Sequence, residues 1–394
     1  MPSTWKAPAL PVPAAEARLH ARRAAAVANL VAHQLFLPTE EKELLQAACL
    51  AHHPAAPEAP EVLGILDACQ TPGSGTDLQC KLAGILRLTD AFDRDMEAPD
   101  AECREPGEIL GRLRGGVSSG LWAAESLDAL AHAIRPTPIE PAERWNVPVF
   151  PAALRTFRLM RDPRAGLREV VEAAQLDPAT AGLVVQLANS ALYGSLDTVS
   201  TLSHAIGRLG FAVAQRVILS AAMRPVFGSP KLHEVWLHSL QAADLAEQLA
   251  VRSGSIDPGE AYLAGLLHDT GRIALLAMPL YDSARMEGLV CGGCPRVYAE
   301  RVLLHTDHAG LGAKLAAWWR LPEFLVAAIG QHHRPEHTDS QLARLLYVTE
   351  CLTDSDEDLP SAIRLESCLD AIALSWDDLA TCSLSDLGAW LTAA

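Results

Sequence analysis

Seven residues in the second half of this 394-residue chain carry the groups that bind divalent cations: His238, His268, Asp269, His308, His332, His333 and Glu350. Imidazole nitrogen and carboxylate oxygen together suit Mn, Fe, Zn or Mg. An ion held by such a set lowers the pKa of bound water and supplies hydroxide for attack on a phosphoester. The same residues have a second reading, as capping or core polar groups that tie helices together. Arg272 stands three residues after Asp269. Its forked donors can hold a phosphate, but a side chain that is always charged is a poor proton donor.

For these groups to meet, the helices that carry them must face one cavity. Adjacent His268 and Asp269 lie about 100° apart on a helix, so both reach one cavity only near a helix end. Gly271 is expected to supply that end, and Pro335 to do the same for His332–His333, because the residue before a proline leaves the helix. Apolar periodicity predicts helices over 233–253, 258–268, 294–305, 308–319, 322–333 and 340–352. Shorter ones precede them over 152–161, 167–175, 178–189, 201–209 and 212–223, with Asp177–Pro178 as a helix start. Nearer the N-terminus, a helix beginning near Ala14 has Leu19, Ala26, Leu30 and Ala32 on one face. Others follow at Thr39, at 77–97, at 106–113 and at 123–134. "RPTPIEPAERWNVPVFP", Arg135 to Pro151, is rich in proline and reads as a linker.

Composition agrees with an all-α protein. Apolar residues make up 49% of the chain, aromatics only 5%, and alternating β-branched runs are nearly absent. The net charge of −16 repels phosphate backbones and argues against a nucleic-acid partner. Nine cysteines include a single CxxC, Cys291 and Cys294, with no second pair, so a reduced thiol pair in a loop is expected rather than a zinc site. No apolar run approaches membrane-spanning length, and the Pro-rich opening is not a signal peptide, so the expected setting is cytoplasmic, with no membrane partner.

The chain contains an internal repeat. "LHARRAAAVANLVAHQLFLPTEEKELLQAACLAHH" parallels "LHSLQAADLAEQLAVRSGSIDPGEAYLAGLLHD": each runs from Leu-His through an Ala/Leu helix, a turn, an acidic helix start and an apolar helix to a second histidine. Later, "KLAGILRLTDAF" pairs with "QLARLLYVTECL", so that Thr89–Asp90 falls on Thr349–Glu350. Two copies of one helical unit are expected, the first of them shorter.

The part from about Asn146 to Leu352 resembles an HDOD domain, the HD-related output domain of bacterial signalling proteins. The resemblance rests on Val170 to Leu219, with its "DP", "LANSALYG" and "AI..LG" pattern, and on "AYLAGLLHDTGRIALL" with "HAGLGAKLAAWWRLPEFLVAAIGQHH". It implies that His238, His268, Asp269, His308, His332 and His333 stand at metal-ligand positions of active HD relatives. Glu350 stands where those relatives have Asp, and Arg272 where they often have Lys. The opening copy is similar to a shortened HD-GYP phosphodiesterase domain. It carries His52–His53 where an HD pair is expected and lacks the GYP part, so only His20, His52 and Asp90 remain. That copy is expected to be catalytically dead.

The resemblance implies two all-α, HD-superfamily-like helical domains. Their expected bounds are a tail at 1–13, a degenerate copy at 14–135, a linker at 136–151, an HDOD domain with an N-terminal helical subdomain at 152–353, and a helical tail at 354–394. It also implies a regulatory role without catalytic residues, exercised through a signalling protein partner or a nucleotide second messenger. The alternative is a metal-dependent phosphohydrolase. Asn189 and Tyr193, in "LANSALYGS", read as a capped turn or as a ligand edge.

Overall fold

The computed structural model describes residues 12–51, 59–97, 105–136, 138–145, 166–174, 178–193, 198–278, 283–353 and 362–393, with single positions at 147, 159, 162 and 164. His52, His53, Asp177 and the expected helix over 152–161 lie outside the described residues, save Leu159 of that helix. Among the described residues the fold is helical throughout, with no strand.

The first half contains α1 (Val12–Gln34), α2 (Thr39–Ala51), α3 (Pro60–Gln70), α4 (Asp77–Met96), α5 (Pro106–Ser118) and α6 (Ala124–Ala133). Helix α4 is its axis. Thr76 starts it with a reciprocal cap, in which Gln79 N donates to Thr76 Oγ1 at 3.3 Å and Thr76 N donates to Gln79 Oε1 at 2.9 Å. Leu82, Ile85, Leu86, Thr89, Phe92, Asp93 and Met96 then bury one broad face of it. On α1 the buried face matches the expected one in part. Ala26 and Ala32 are buried beside Ala24, Val27, Ala28 and Val31, while Leu19 and Leu30 are only half-buried. A helix this rich in alanine has little contrast between its faces, so a few leucines misplace its phase.

A small subdomain follows, of α7 (Leu167–Ala174), α8 (Pro178–Ala188), α9 (Leu202–Leu209) and α10 (Phe211–Met223). The main bundle is α11 (His233–Ser253), α12 (Pro258–Leu267), α13 (Thr270–Ala277), α14 (Ser283–Cys291), α15 (Arg296–Leu304), α16 (His308–Trp318), α17 (Glu323–Gln331) and α18 (Gln341–Thr353). Three short helices close the chain: α19 (Ala362–Ala371), α20 (Trp376–Ala380) and α21 (Asp386–Ala393). Helix α19 packs on α18, while α20 and α21 lie against α11 and are held by its polar face. Asp244 accepts from Ser385 N at 2.7 Å, Gln248 donates to Ser383 O at 2.9 Å, and Arg252 donates to Asp378 O at 2.6 Å. Cys291 is exposed and Cys294 buried, on either side of a Gly-Gly turn.

The two halves touch through α1, α4 and the end of α6 on one side and α14–α15 on the other. Arg285 donates to Ala133 O, and the His305 ring reaches Ile134 O at 2.8 Å. The Arg23 guanidinium lies 5.3 Å from the ring centre of Tyr298. The described part of the expected linker is no free tether, since Ala142, Trp145 and Val147 are buried.

At this junction sits a buried polar cluster. His20 Nδ1 donates to Asp93 at 2.6 Å and its Nε2 to Asp90 at 2.8 Å, while Arg23 forks onto Asp93 at 2.8 and 3.0 Å. Burial opposes charge on His20, but hydrogen bonds to Asp90 and Asp93 push its pKa up to about 9. A raised histidine stabilises the fold fully below its ordinary value near 6.5 and ceases to do so as pH rises through about 9. Urea unfolding at pH 6.5 and 9.5 is therefore expected to show a larger loss of stability for the wild type than for His20→Gln. Parallel losses in the two proteins would disprove a charged His20.

Candidate metal centre

The main bundle ends or begins four of its helices at one point. His268 caps the end of α12, Asp269 precedes α13, His308 opens α16 and His332 caps the end of α17. His238 and Glu350 reach the same point from within α11 and α18. The helix break expected at Gly271 falls earlier. It lies between His268 and Asp269, and Gly271 is inside the first turn of α13. What Gly271 supplies is space. A Cβ there would lie 1.8 Å from His308 O and 2.7 Å from Gly312 N. Gly312 in turn lies against Gly271 N and His268 O, and Gly265 lies against the backbone of Ala242 and Ala243. These glycines let α13 meet α16, and α12 meet α11, at backbone distance.

Every expected ligand arrives in one cluster. Glu350 Oε1 lies 2.8 Å from His268 Nε2 and 3.1 Å from His238 Nε2, and those two nitrogens are 3.1 Å apart. Asp269 Oδ1 lies 3.2 Å from His308 Nε2 and 3.6 Å from His268 Nε2. His308 Nε2 and His333 Nε2 are 2.8 Å apart. Arg272 Nε sits 3.0 Å from Asp269 Oδ2. His268, Asp269, His308 and His332 are wholly buried.

The far sides of the rings explain this orientation. His268 Nδ1 donates to Gly265 O and His332 Nδ1 to Ile329 O, both at 2.6 Å. His308 Nδ1 donates to Glu300 Oε2 at 2.7 Å. A carbonyl oxygen only accepts, so the hydrogens of His268 and His332 sit on Nδ1 and their Nε2 atoms turn inward. His332 Nε2 is buried with no hydrogen-bond partner. An orphaned lone pair in a dry core is costly, and a cation removes that cost. Three groups of donor atoms, His238/His268/Glu350, His268/Asp269/His332 and His308/His332/His333, each lie within 4.8 Å of one another. The residues present therefore fit a divalent cation, and the set does not distinguish Mn, Fe, Zn and Mg.

Electrostatics divide the imidazoles. Burial opposes charge on His238 and His308, yet Glu350 holds the first up at about 9, and Glu300 with Asp269 holds the second up at about 10. Burial and the neighbouring imidazoles push His332 down to about 3 and His333 well below its ordinary value. Burial alone would raise Asp269, but Arg272, His268 and His308 hold it well below the usual carboxylate range. Positive charge is thus shared unequally among crowded imidazoles.

Glu300 was not among the candidates read from sequence. The available signal was an acid in the apolar run "RVYAERVLL", eight residues before His308. Asp93 and Arg23 were also overlooked. Each stands three residues from a recognised partner, Asp90 or His20, on the same helix face.

Residues 147–335 match the family model of the HDOD domain. The chain carries an HDOD domain. Glu350 lies beyond the matched span, although it joins the cluster. A crystal structure of an HDOD domain protein of unknown function from Geobacter sulfurreducens is 23% identical, with a TM-score of 0.51, over 68% of this chain and 91% of that one. A signal transduction protein from Marinobacter aquaeolei VT8 is also 23% identical, with a TM-score of 0.50, over 64% of this chain and 60% of its own. An uncharacterized protein of Treponema pallidum (strain Nichols) is 26% identical over 214 residues, 51% of this chain. The chain spans 40% of that relative's length.

Within the HDOD domain, "LANSALYG" has a structural task at Asn189. Its side chain accepts from Val199 N and donates to Val199 O, both at 2.8 Å, closing the loop between α8 and α9. Tyr193 is half-buried against the core. Neither residue belongs to the imidazole cluster.

Gly271→Ala is expected to destabilise the fold by about 1–3 kcal/mol or more, because backbone must move rather than a side chain. A denaturation midpoint equal to wild type would contradict the close approach of α13 and α16. Asn189→Ala should cost about 1–3 kcal/mol by leaving the Val199 groups without their partner. Unchanged urea stability would assign Asn189 another role.

Proposed function

We propose that the HDOD domain is a cation-bearing regulatory module that relays a signal without turning over a substrate. Its output is contact with a signalling protein partner or a nucleotide second messenger. The observation that carries this reading is the Arg272–Asp269 pair at 3.0 Å, at the heart of an otherwise complete ligand set. Asp269 is the carboxylate between the two outer donor groups, and a permanent guanidinium charge occupies one of its oxygens. Arginine holds its protons at any working pH, so it cannot pass one to a leaving group. A cytoplasmic setting belongs to the same reading, and so does the absence of a nucleic-acid partner, given the net charge of −16. Among the described residues, no single helix is long and apolar enough to cross a membrane.

The first half is read, in the same proposal, as a degenerate HD-like copy. Three features support this. His20 meets Asp90 at 2.8 Å as His238 meets Glu350 at 3.1 Å. Thr89 and Thr349, each one residue before the acid, are wholly buried and donate back to the carbonyl four residues earlier. Arg23 pairs with Asp93 at 2.8 Å as Arg272 pairs with Asp269 at 3.0 Å.

The second reading, a metal-dependent phosphohydrolase, draws on the two outer donor groups that flank Asp269. When bound, a cation there would supply a water of lowered pKa. His238, His268 and Glu350 would hold one side, His308, His332 and His333 the other, and Asp269 would lie between them.

Metal analysis of purified protein, followed by assay of bis(p-nitrophenyl) phosphate with added Mn, separates the readings. The expected result is bound divalent metal and no hydrolysis above background. Mn-stimulated cleavage that disappears in Asp269→Ala would establish the enzyme instead. Protein that takes up no metal would remove the cation from both readings.

A further inference from the structure

The imidazoles of the cluster are not all held in the same way. His268 and His332 use a carbonyl three residues earlier in their own helix, Gly265 O and Ile329 O. His308 has no such carbonyl, because it is the first residue of α16. Its Nδ1 donates across the turn to Glu300 Oε2 at 2.7 Å, and its backbone N–H donates to the same oxygen at 2.8 Å.

Glu300 is wholly buried, in the middle of α15, among Val297, Tyr298, Val302, Leu303 and Leu304. An isolated carboxylate in such a place is expensive and persists only when its partners justify it. Here the hydrogen-bond partners of Oε2 both belong to His308. The next residue, Arg301, pairs with Asp307 at 2.8 Å, and Asp307 caps α16 through Gly310 N at 2.9 Å. Helix α15 thus fixes both the start of α16 and the ring at that start.

We infer that Glu300 is a positioning residue for the cation centre. It fixes His308 with its hydrogen on Nδ1 and its Nε2 toward His333 and Asp269, and so completes the His308/His332/His333 position. This assignment rests on the cation reading above. A carboxylate behind a ligating imidazole sets the tautomer, restrains the ring and raises its basicity. His268 and His332 receive their orientation from backbone, which side-chain substitution does not remove. His308 alone among these three depends on a side chain.

The test uses the full chain with Glu300→Met and Glu300→Ala. Mn(II) binding is followed by electron paramagnetic resonance, and the tautomers of the histidines by long-range 15N–1H correlation in metal-free, 15N-histidine-labelled protein. Glu300→Met, which removes the accepting oxygens, is expected to weaken Mn binding roughly 10–100-fold, and to remove the Nδ1–H signature from one histidine while those of His268 and His332 persist. Glu300→Met keeps the length of the side chain and carries the test if Glu300→Ala does not fold. Wild-type Mn affinity in Glu300→Met, with unchanged circular dichroism and unchanged tautomers, overturns the assignment while leaving the cation reading intact. Wild-type protein that takes up no Mn overturns the cation reading and the assignment with it.

Discussion

The main bundle depends on how its imidazoles dispose of one hydrogen each. His268, His308 and His332 commit their Nδ1 hydrogens to acceptors that face away from the cluster. Their Nε2 atoms then face a common point in the buried interior. Bare lone pairs repel, so the cluster requires either protons or a cation between them. With protons alone the burden cannot be shared evenly, and His238 and His308 are held up while His332 and His333 are driven down. A divalent ion resolves the same conflict with one charge centre, and its binding releases protons.

Holding the rings so close places a demand on backbone. Side chains of ordinary length reach a common point from six helices only if those helices converge, and Gly265, Gly271 and Gly312 permit it. The break between His268 and Asp269 has the same purpose. In one continuous helix their side chains would diverge by about 100°. With α12 ending at Leu267 and α13 beginning at Thr270, both reach the cluster.

Much of this was legible in the order of residues, and the unread parts have a common cause. Helices such as α11, α12 and α16 could be placed within a residue or two because apolar periodicity and caps are local signals. The ligand set could be named because its residue types are rare in apolar helices. The role of Gly271 could not, because a glycine near a helix end looks the same whether it stops the chain or admits a neighbour. Helices α13 and α14 gave no separate signal, being short and close to one another. Glu300 and Asp93 were hidden for the same physical reason: an acid on a helix shows its value only through the partner it meets across the fold.

The comparison of the two His–acid clusters shows how small a change separates a ligand from a structural ion pair. In the main bundle, the Nδ1 atoms of His268 and His332 face carbonyls; the Nε2 of His268 meets Glu350 at 2.8 Å, while that of His332 has no hydrogen-bond partner. In the first half, both nitrogens of His20 face carboxylates, Asp93 at 2.6 Å and Asp90 at 2.8 Å. Two acceptors require two hydrogens, so the ring is an imidazolium with no lone pair to give. Arg23 completes the neutralisation of Asp93. What sets the main bundle apart is His332, a ring held by a carbonyl at Nδ1 whose Nε2 meets no acceptor. His308, with Glu300 behind it and Asp269 in front, stands between these two cases. Protonated, it mirrors His20 and closes the cluster without an ion. Deprotonated at Nε2, it joins His332 and His333 as a ligand. The main bundle therefore contains, in one ring, the choice that the first half has already made in favour of protons.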